Sequence, residues 1–339
     1  MDRKITMQDI ADRLNISKNS VSQALSGKPG VSEETRRLVQ LTADELGYDY
    51  TKSRKAKPAE QNAPKNIALI ASDYAFSFKS FFGEIYLSVE KEVRERGMNL
   101  FIESIDREAK ESLTLPALLS THNIDGILIL SHISTDYILK ILETGIPAVL
   151  IDHHEPWLQA DSILTNNRFG AFTAVEHLIK LGHRDIAYIG DVEFSPSYQE
   201  RLEGYLLALN KYGITPNEDF MFKTAHEDQD ELTDFFEGLE RKPTAWFCVN
   251  DGHGFLILSL LQQKGFKVPD DVSICSFDNG QLSQISTPKI TTVDIDLKYF
   301  GKKAVEQLCW RIENRDDPIH EILLPTKLLI RESTAERKN

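Results

Sequence analysis

From Thr6 to Gly47 the apolar positions recur three and four residues apart and the pattern breaks twice, which predicts three short helices. Met7, Ile10, Ala11 and Leu14 share one face of the first, and Thr6 opens it with Asp9 three residues on, a reciprocal capping pair. Asn15-Ile16-Ser17 interrupts the periodicity, and the Ser17 hydroxyl can cap a second helix from about Lys18 to Leu25. That helix turns Val21, Ala24 and Leu25 inward and leaves Lys18, Asn19, Ser20 and Gln23 outward. Gly27, Pro29 and Gly30 force a loop, Ser32 starts the third helix with Glu33 and Glu34 near its positive end, and Gly47 ends it. Two short helices around a tight turn, the second with a polar outer face, meet the requirement for entering a DNA major groove.

Beyond residue 66 the pattern changes to short continuous apolar runs between helical stretches. Ile67–Ala71, Leu100–Glu103, Gly126–Leu130 and Ala148–Ile151 read as one series of strands, with a helical stretch after the first that runs to about Arg96 and stops at Gly97. Ile186–Ile189, Ala245–Val249 and Val272–Ser276 read as a second series. Apolar strands alternating with helices imply parallel sheets covered on both faces, hence an α/β core behind a small all-α headpiece. In such sheets ligands sit beyond the carboxyl ends of the strands.

Charge divides the chain at the same place. The whole sequence holds 39 Lys+Arg against 52 Asp+Glu, a net of −13, over 339 residues. Residues 1–66 carry 12 basic and 9 acidic side chains, leaving 27 and 43 for the rest. An acidic bulk repels a phosphate backbone, so DNA contact belongs to the N-terminal piece. Residues 50–65 are rich in Lys, Ala and Pro without apolar periodicity, and within them Lys52, Arg54, Lys55 and Lys57 run without an acid. Such a run is ordinarily a solvated linker; directly after a helix-turn-helix it is placed to track phosphates. Cys248, Cys275 and Cys309 are widely spaced and suit reduced residues in apolar surroundings, not a disulfide or zinc framework. The N-terminus is polar, and the longest apolar runs, such as Phe255-Leu256-Ile257-Leu258, are too short to span a bilayer, so a cytoplasmic protein is expected.

The strand ends carry the candidate chemistry. Asp152 follows Ala148–Ile151, Asn250 and Asp251 follow Ala245–Val249, and Asp278 and Asn279 follow the strand ending at Phe277. Arg201 opens a helix after Ile186–Ile189. Two Asp, an Asn and an Arg suit a ligand with many hydroxyls, because carboxylates accept and a guanidinium donates in fixed geometry. Each could instead cap the next helix, and Asp152 with Asp278 could be an acid/base pair in a sugar-modifying enzyme. Phe76, Phe78, Phe81 and Phe82 cluster after the first strand; some belong to the core and one or two can stack on a sugar ring. His153 and His154 lack a third metal ligand at useful spacing, Gly27-Lys28 and Gly252-x-Gly254 complete no phosphate loop, and no nucleophile elbow is present. No metal or cofactor is expected.

Taken together, several stretches resemble the lactose-repressor (LacI/GalR) family of transcription regulators over nearly the full chain. They are Thr6-Met7-Gln8-Asp9-Ile10-Ala11, Val21-Ser22, Gly30-Val31-Ser32 with Thr35-Arg36, and Glu45-Leu46-Gly47-Tyr48. Further on come His177-Leu178, Leu181-Gly182-His183, Arg201 with Gly204-Tyr205, Asn250-Asp251, and Val272-Ser273-Ile274 with Phe277-Asp278. The resemblance implies a headpiece at 1–49, a hinge at 50–65 and a two-lobed core like type I periplasmic binding proteins at 66–333, with a tail at 334–339. It implies an N-lobe of about 66–164 and 294–320 and a C-lobe of about 165–293 and 321–333. The implied partners are double-stranded operator DNA, a second copy of the chain, and a small effector, a sugar or sugar derivative. A purine, or a phosphorylated carrier protein as corepressor, is the alternative within the same build. The implied DNA contacts are Thr6, Ser17, Lys18, Asn19, Ser20, Ser22, Gln23 and Lys28, with Lys52, Arg54, Lys55 and Lys57 in the linker. The implied effector contacts are Phe76, Asp152, Arg201, Asn250 and Asp278, and the loop around Thr224–Asp228 matches another ligand-facing position.

Two departures stand out. Gln23 stands where the family usually has Arg, and Gln suits adenine where Arg suits guanine. Lys57 stands where the family's hinge helix carries a Leu wedge, residues 50–65 hold no Leu, and Pro58 disfavours helix at Lys57. The linker is therefore expected to contribute phosphate contacts.

Overall fold

The computed structural model describes residues 5–26, 31–46, 48, 64–73, 75, 81–130 and 133–338. It divides into two compact units, Met1–Pro64 and Lys65–Asn339.

The first unit holds α1 (Met7–Leu14), α2 (Lys18–Ser26) and α3 (Glu33–Leu46). The Asp9 carboxylate accepts from both the backbone N–H and the hydroxyl of Thr6 at 2.7 Å, and Ser17 Oγ accepts the Ser20 N–H at 3.0 Å. Ser32 caps α3 through the Thr35 N–H at 3.1 Å. Ile10, Ala11, Val21, Ala24, Leu25, Val39 and Ala43 are buried together, so the three apolar faces close one small core. Arg36 locks α3 to α2 by donating to the carbonyls of Gln23 and Ala24 at 3.3 and 3.1 Å.

The second unit contains two sheets, each six-stranded among the described residues. The N-terminal sheet comprises β1 (Asn66–Ser72), β2 (Asn99–Ile105), β3 (Gly126–Leu130), β4 (Ala148–Ile151), β5 (Asp161–Thr165) and β11 (Glu321–Leu324), all parallel, in the order β11-β5-β4-β3-β1-β2. The C-terminal sheet comprises β6 (Ile186–Ile189), β7 (Met221–Phe222), β8 (Ala245–Cys248), β9 (Ser273–Asp278), β10 (Thr291–Ile295) and β12 (Thr326–Leu329), in the order β12-β10-β9-β8-β6-β7. Only β12 runs antiparallel. The helices that precede and form the site are, in chain order, α4 (Phe82–Glu95), α5 (Arg107–Ser112), α6 (Leu118–Thr121) and α7 (Thr135–Leu142) with the first sheet, and α8 (Asn167–Lys180), α9 (Pro196–Lys211), α10 (Gln229–Gly238) and α11 (Asp251–Gln263) with the second. Central strands are buried on both faces, which is why they read as unbroken apolar runs. No helix among the described residues is long and apolar enough to cross a membrane.

The lobe assignment of the C-terminal segments needs correction. Glu321–Leu324, expected in the C-lobe, pairs with β5 as an edge of the N-terminal sheet, while Asp294 and Ile295, expected in the N-lobe, end β10 in the other sheet. Pro325 alone separates β11 from β12, so the chain changes sheets within one residue. Neither apolar pattern nor composition marks that step.

Candidate functional site

The headpiece presents the side chains expected at DNA from α2 and its cap. Lys18 and Asn19 are exposed, as are Thr6 and Ser17, while Ser20, Ser22 and Gln23 are half-buried. The Ser20 hydroxyl lies 2.8 Å from that of Ser17, so both serve the cap. Lys28, Lys52, Arg54, Lys55 and Lys57 lie outside the described residues, as does Phe76.

In the core, Asp152, Arg201, Asn250 and Asp278 converge on one cavity at the carboxyl ends of strands from both sheets. Phe81 and Phe82, at the start of α4, form its wall on the N-terminal lobe; Phe194, Ser195, Ser197 and Tyr198 line the other side. Phe81 and Phe82 meet edge to face with centroids 4.9 Å apart. The cavity measures about 40 Å³. That is room for a water or two.

Each polar side chain is held in place. Asp152 leaves β4 with φ 55°, and Asp278 and Asn279 leave β9 with φ 101° and 52°. Non-glycine residues in this region are uncommon, and Asp and Asn tolerate it best. Burial pushes the Asp152 carboxyl up to about 7, against the opposing pull of Arg201 and of the Ser197 hydroxyl, which donates to it at 3.0 Å. Arg201 is 2% exposed. It donates from Nε to Asn167 Oδ1 at 2.9 Å and from Nη1 to the Val249 carbonyl at 2.5 Å. Its guanidinium lies 3.8 Å from the Phe277 ring centroid. Nη1 is also 3.0 Å from Asp278 Oδ1, as an ion-pair contact without hydrogen-bond alignment. Burial nevertheless raises the Asp278 carboxyl above the usual carboxylate range.

Asn250 does two things. Its Oδ1 accepts the His253 N–H at 2.8 Å and so caps α11, while its amide donates at 2.7 Å to both Tyr198 OH and Glu227 Oε1. The helix-cap alternative thus holds for Asn250 and not for Asp152 or Asp278, whose neighbouring helices begin elsewhere.

Several lining residues escaped the sequence reading, Phe194 and Ser195 among them. Ser197 and Tyr198 sit on the first turn of α9, where Pro196 at the first helical position fixes the entry angle. Their place on the same turn region as Arg201 was the available signal. Asp251 is buried behind the site and accepts from Ser276, Thr292 and the Gly280 N–H, pinning the turn that follows Asp278. Burial, with Asp278 nearby, pushes its carboxyl up to about 7.

Among the described residues no group of three or more His, Cys, Asp or Glu side chains is arranged to hold a metal ion, His154 and its neighbours included. The His154 ring nitrogens lie 3.5 Å from Glu200 and 3.6 Å from Glu321. Glu200 in turn accepts from Asn167 at 3.0 Å, and Asn167 holds Arg201, so this histidine is tied to the pocket through three side chains.

The profile for bacterial regulatory proteins of the lacI family matches residues 6–49, and that for the periplasmic binding protein-like domain matches residues 175–334. The probable HTH-type transcriptional repressor ExuR of Bacillus subtilis (strain 168) is 30% identical over 338 residues, covering 97% of this chain and 98% of that protein. The HTH-type transcriptional repressor PurR of Vibrio campbellii is 29% identical over 338 residues, covering 98% and 99%. Among solved structures, the complex of the transcriptional regulator CelR with cellobiose superposes with a TM-score of 0.70 at 26% identity, covering 97% of this chain and 99% of that one. The chain belongs to the lacI family of bacterial regulatory proteins and is an effector-controlled, DNA-binding transcriptional repressor, not an enzyme.

Proposed function

We propose that this repressor senses a sugar or sugar derivative bound between its lobes, and that Asp152, Arg201, Asn250 and Asp278 hold the effector's hydroxyls. The convergence of these four side chains with aromatic rings on both walls carries the reading. Buried carboxylates and an anchored guanidinium suit a polyol, and ring faces suit the apolar side of a pyranose. CelR, similar over the full length, is known as a cellobiose complex. An effector that favours one lobe arrangement shifts the lobe equilibrium by its differential affinity for the two states. That shift reaches DNA by linkage, in a homodimer whose two headpieces read the half-sites of a pseudo-palindromic operator. The α2 face is the reader, with Gln23 specifying adenine where the family commonly reads guanine.

A purine is the second reading, favoured by the four aromatic side chains Phe81, Phe82, Phe194 and Tyr198 around the pocket. A thermal-denaturation screen of sugars, sugar phosphates and purines, with and without DNA, separates the two. Stabilisation by a sugar that disappears in Asp152→Asn supports the proposal; stabilisation by a purine alone replaces it with the second reading.

A further inference from the structure

A second cavity of about 240 Å³ lies against the C-lobe wall of the pocket. Phe194 and Tyr198 line both, and Asp191, Ala225, His226, Glu227 and His253 complete the second. The two meet at Asn250, whose amide holds Tyr198 OH and Glu227 Oε1 at 2.7 Å each. Room for the Glu227 carboxylate is built in: a Cβ on Gly252 would come within 2.3 Å of Oε2. Beside it the Phe194 and Tyr198 rings lie 5.7 Å apart, tilted by 38°.

The charges around the second cavity are one-sided. No Lys or Arg lines the second cavity among the described residues. Arg201, the guanidinium of the first, is committed to Asn167, Val249 and Asp278. His253 uses Nε2 to hold the Ala225 carbonyl at 3.0 Å, and His226 lies 3.0 Å from Glu231 and 3.9 Å from Asp191. What faces a ligand in the second cavity is the Phe194 and Tyr198 rings and the carboxylates Asp191 and Glu227. Ring faces and carboxylates attract a cation and repel an anion.

We propose that the second cavity receives an amine-bearing part of the effector, so that this repressor senses an amino sugar in preference to a sugar phosphate or a uronic acid. The proposal rests on the sugar reading above. The test is isothermal titration of the full-length protein with matched probes in the gluco and galacto series, as mono- and β-1,4-linked disaccharides. Each set comprises the parent sugar, its 2-amino, N-acetylamino and 6-phosphate forms, and the uronate. The amine should bind about fivefold tighter than its parent, as one cation–ring contact plus one solvent-exposed ion pair supply. The phosphate and uronate should bind more weakly than the parent. In Glu227→Gln the amine-to-parent ratio should fall to about one, and Gly252→Ala, which crowds the same carboxylate, should lower it too. Equal affinities across a set, tightest binding by the phosphate or uronate, or an unaltered ratio in both variants overturns the proposal. Thermal denaturation in tetramethylammonium chloride against sodium chloride tests the cavity without sugar. A rise in Tm that requires Glu227, with no sugar bound, keeps the cation cavity and removes the sugar reading. Sugar binding with neither amine preference nor such a rise keeps the sugar reading and removes the cavity's role.

Discussion

Asp152 and Asp278 leave their strands at φ 55° and 101°, backbone geometry that serves to aim two carboxylates into one small space. Arg201 between them is 2% exposed and makes its contacts with nothing from solvent. Removing one member of a buried ion pair strands the other, so Arg201→Ala should lower unfolding stability by about 3–5 kcal/mol, measured by urea denaturation. A loss within 1 kcal/mol would mean that Asp278 is not relying on it. The pH dependence follows from Asp152, which titrates near 3.8 when unfolded and about 7 when folded. The folded state therefore holds the proton more tightly. Stability from this group is fully present below 3.8 and is lost as pH rises through 7. Asp152→Asn cannot ionise, so relative to the variant the wild type should lose Tm between pH 4 and 7. A constant difference over that range would contradict the assignment. These residues were legible because polar residues directly after apolar strands have a defined place in a parallel α/β sheet. Ser197 and Tyr198 were not, since helix-face polar residues look alike until the packing is known.

At the scale of elements, the site depends on how α8 and α9 cross. A Cβ on Gly204 would meet the Arg168 carbonyl oxygen at 2.1 Å, and one on Gly170 would meet the Phe277 ring at 2.7 Å. These glycines bring α9, with Ser197, Tyr198 and Arg201, close over the C-terminal sheet. Gly204→Ala must push the helices apart, and should cost about 1–3 kcal/mol in urea denaturation together with weaker effector binding. Full stability with full binding would show that the crossing tolerates a methyl group. The headpiece helices were readable to within a residue because capping residues and apolar spacing agree at Thr6, Ser17 and Ser32. β11 and β12 were not readable. Glu321–Leu324 and Thr326–Leu329 are short edge strands with exposed or half-exposed positions, and the apolar run that identifies a central strand is missing.

For the whole molecule, the charge split anticipated two jobs before any fold was known: a net-positive N-terminal piece and an acidic remainder. The lobe boundaries were less accessible, because the chain crosses between sheets after β5, after β10 and at Pro325. Three crossings place Asp152 and the Phe81–Phe82 pair on one lobe and Arg201, Asn250 and Asp278 on the other. A ligand touching all of them senses the lobe arrangement directly. That is the physical basis for coupling effector occupancy to DNA binding, with an expected change in operator affinity of about 5- to 150-fold.

The most direct test of that coupling is fluorescence-anisotropy titration of full-length protein on an operator selected from random DNA, with and without the sugar that stabilises it. In the wild type the two operator Kd values should differ by at least about fivefold, and in Asp152→Asn their ratio should fall to about one. An identical ratio in wild type and variant, or no effect of a bound sugar on operator affinity, would contradict the pocket's role as the control site.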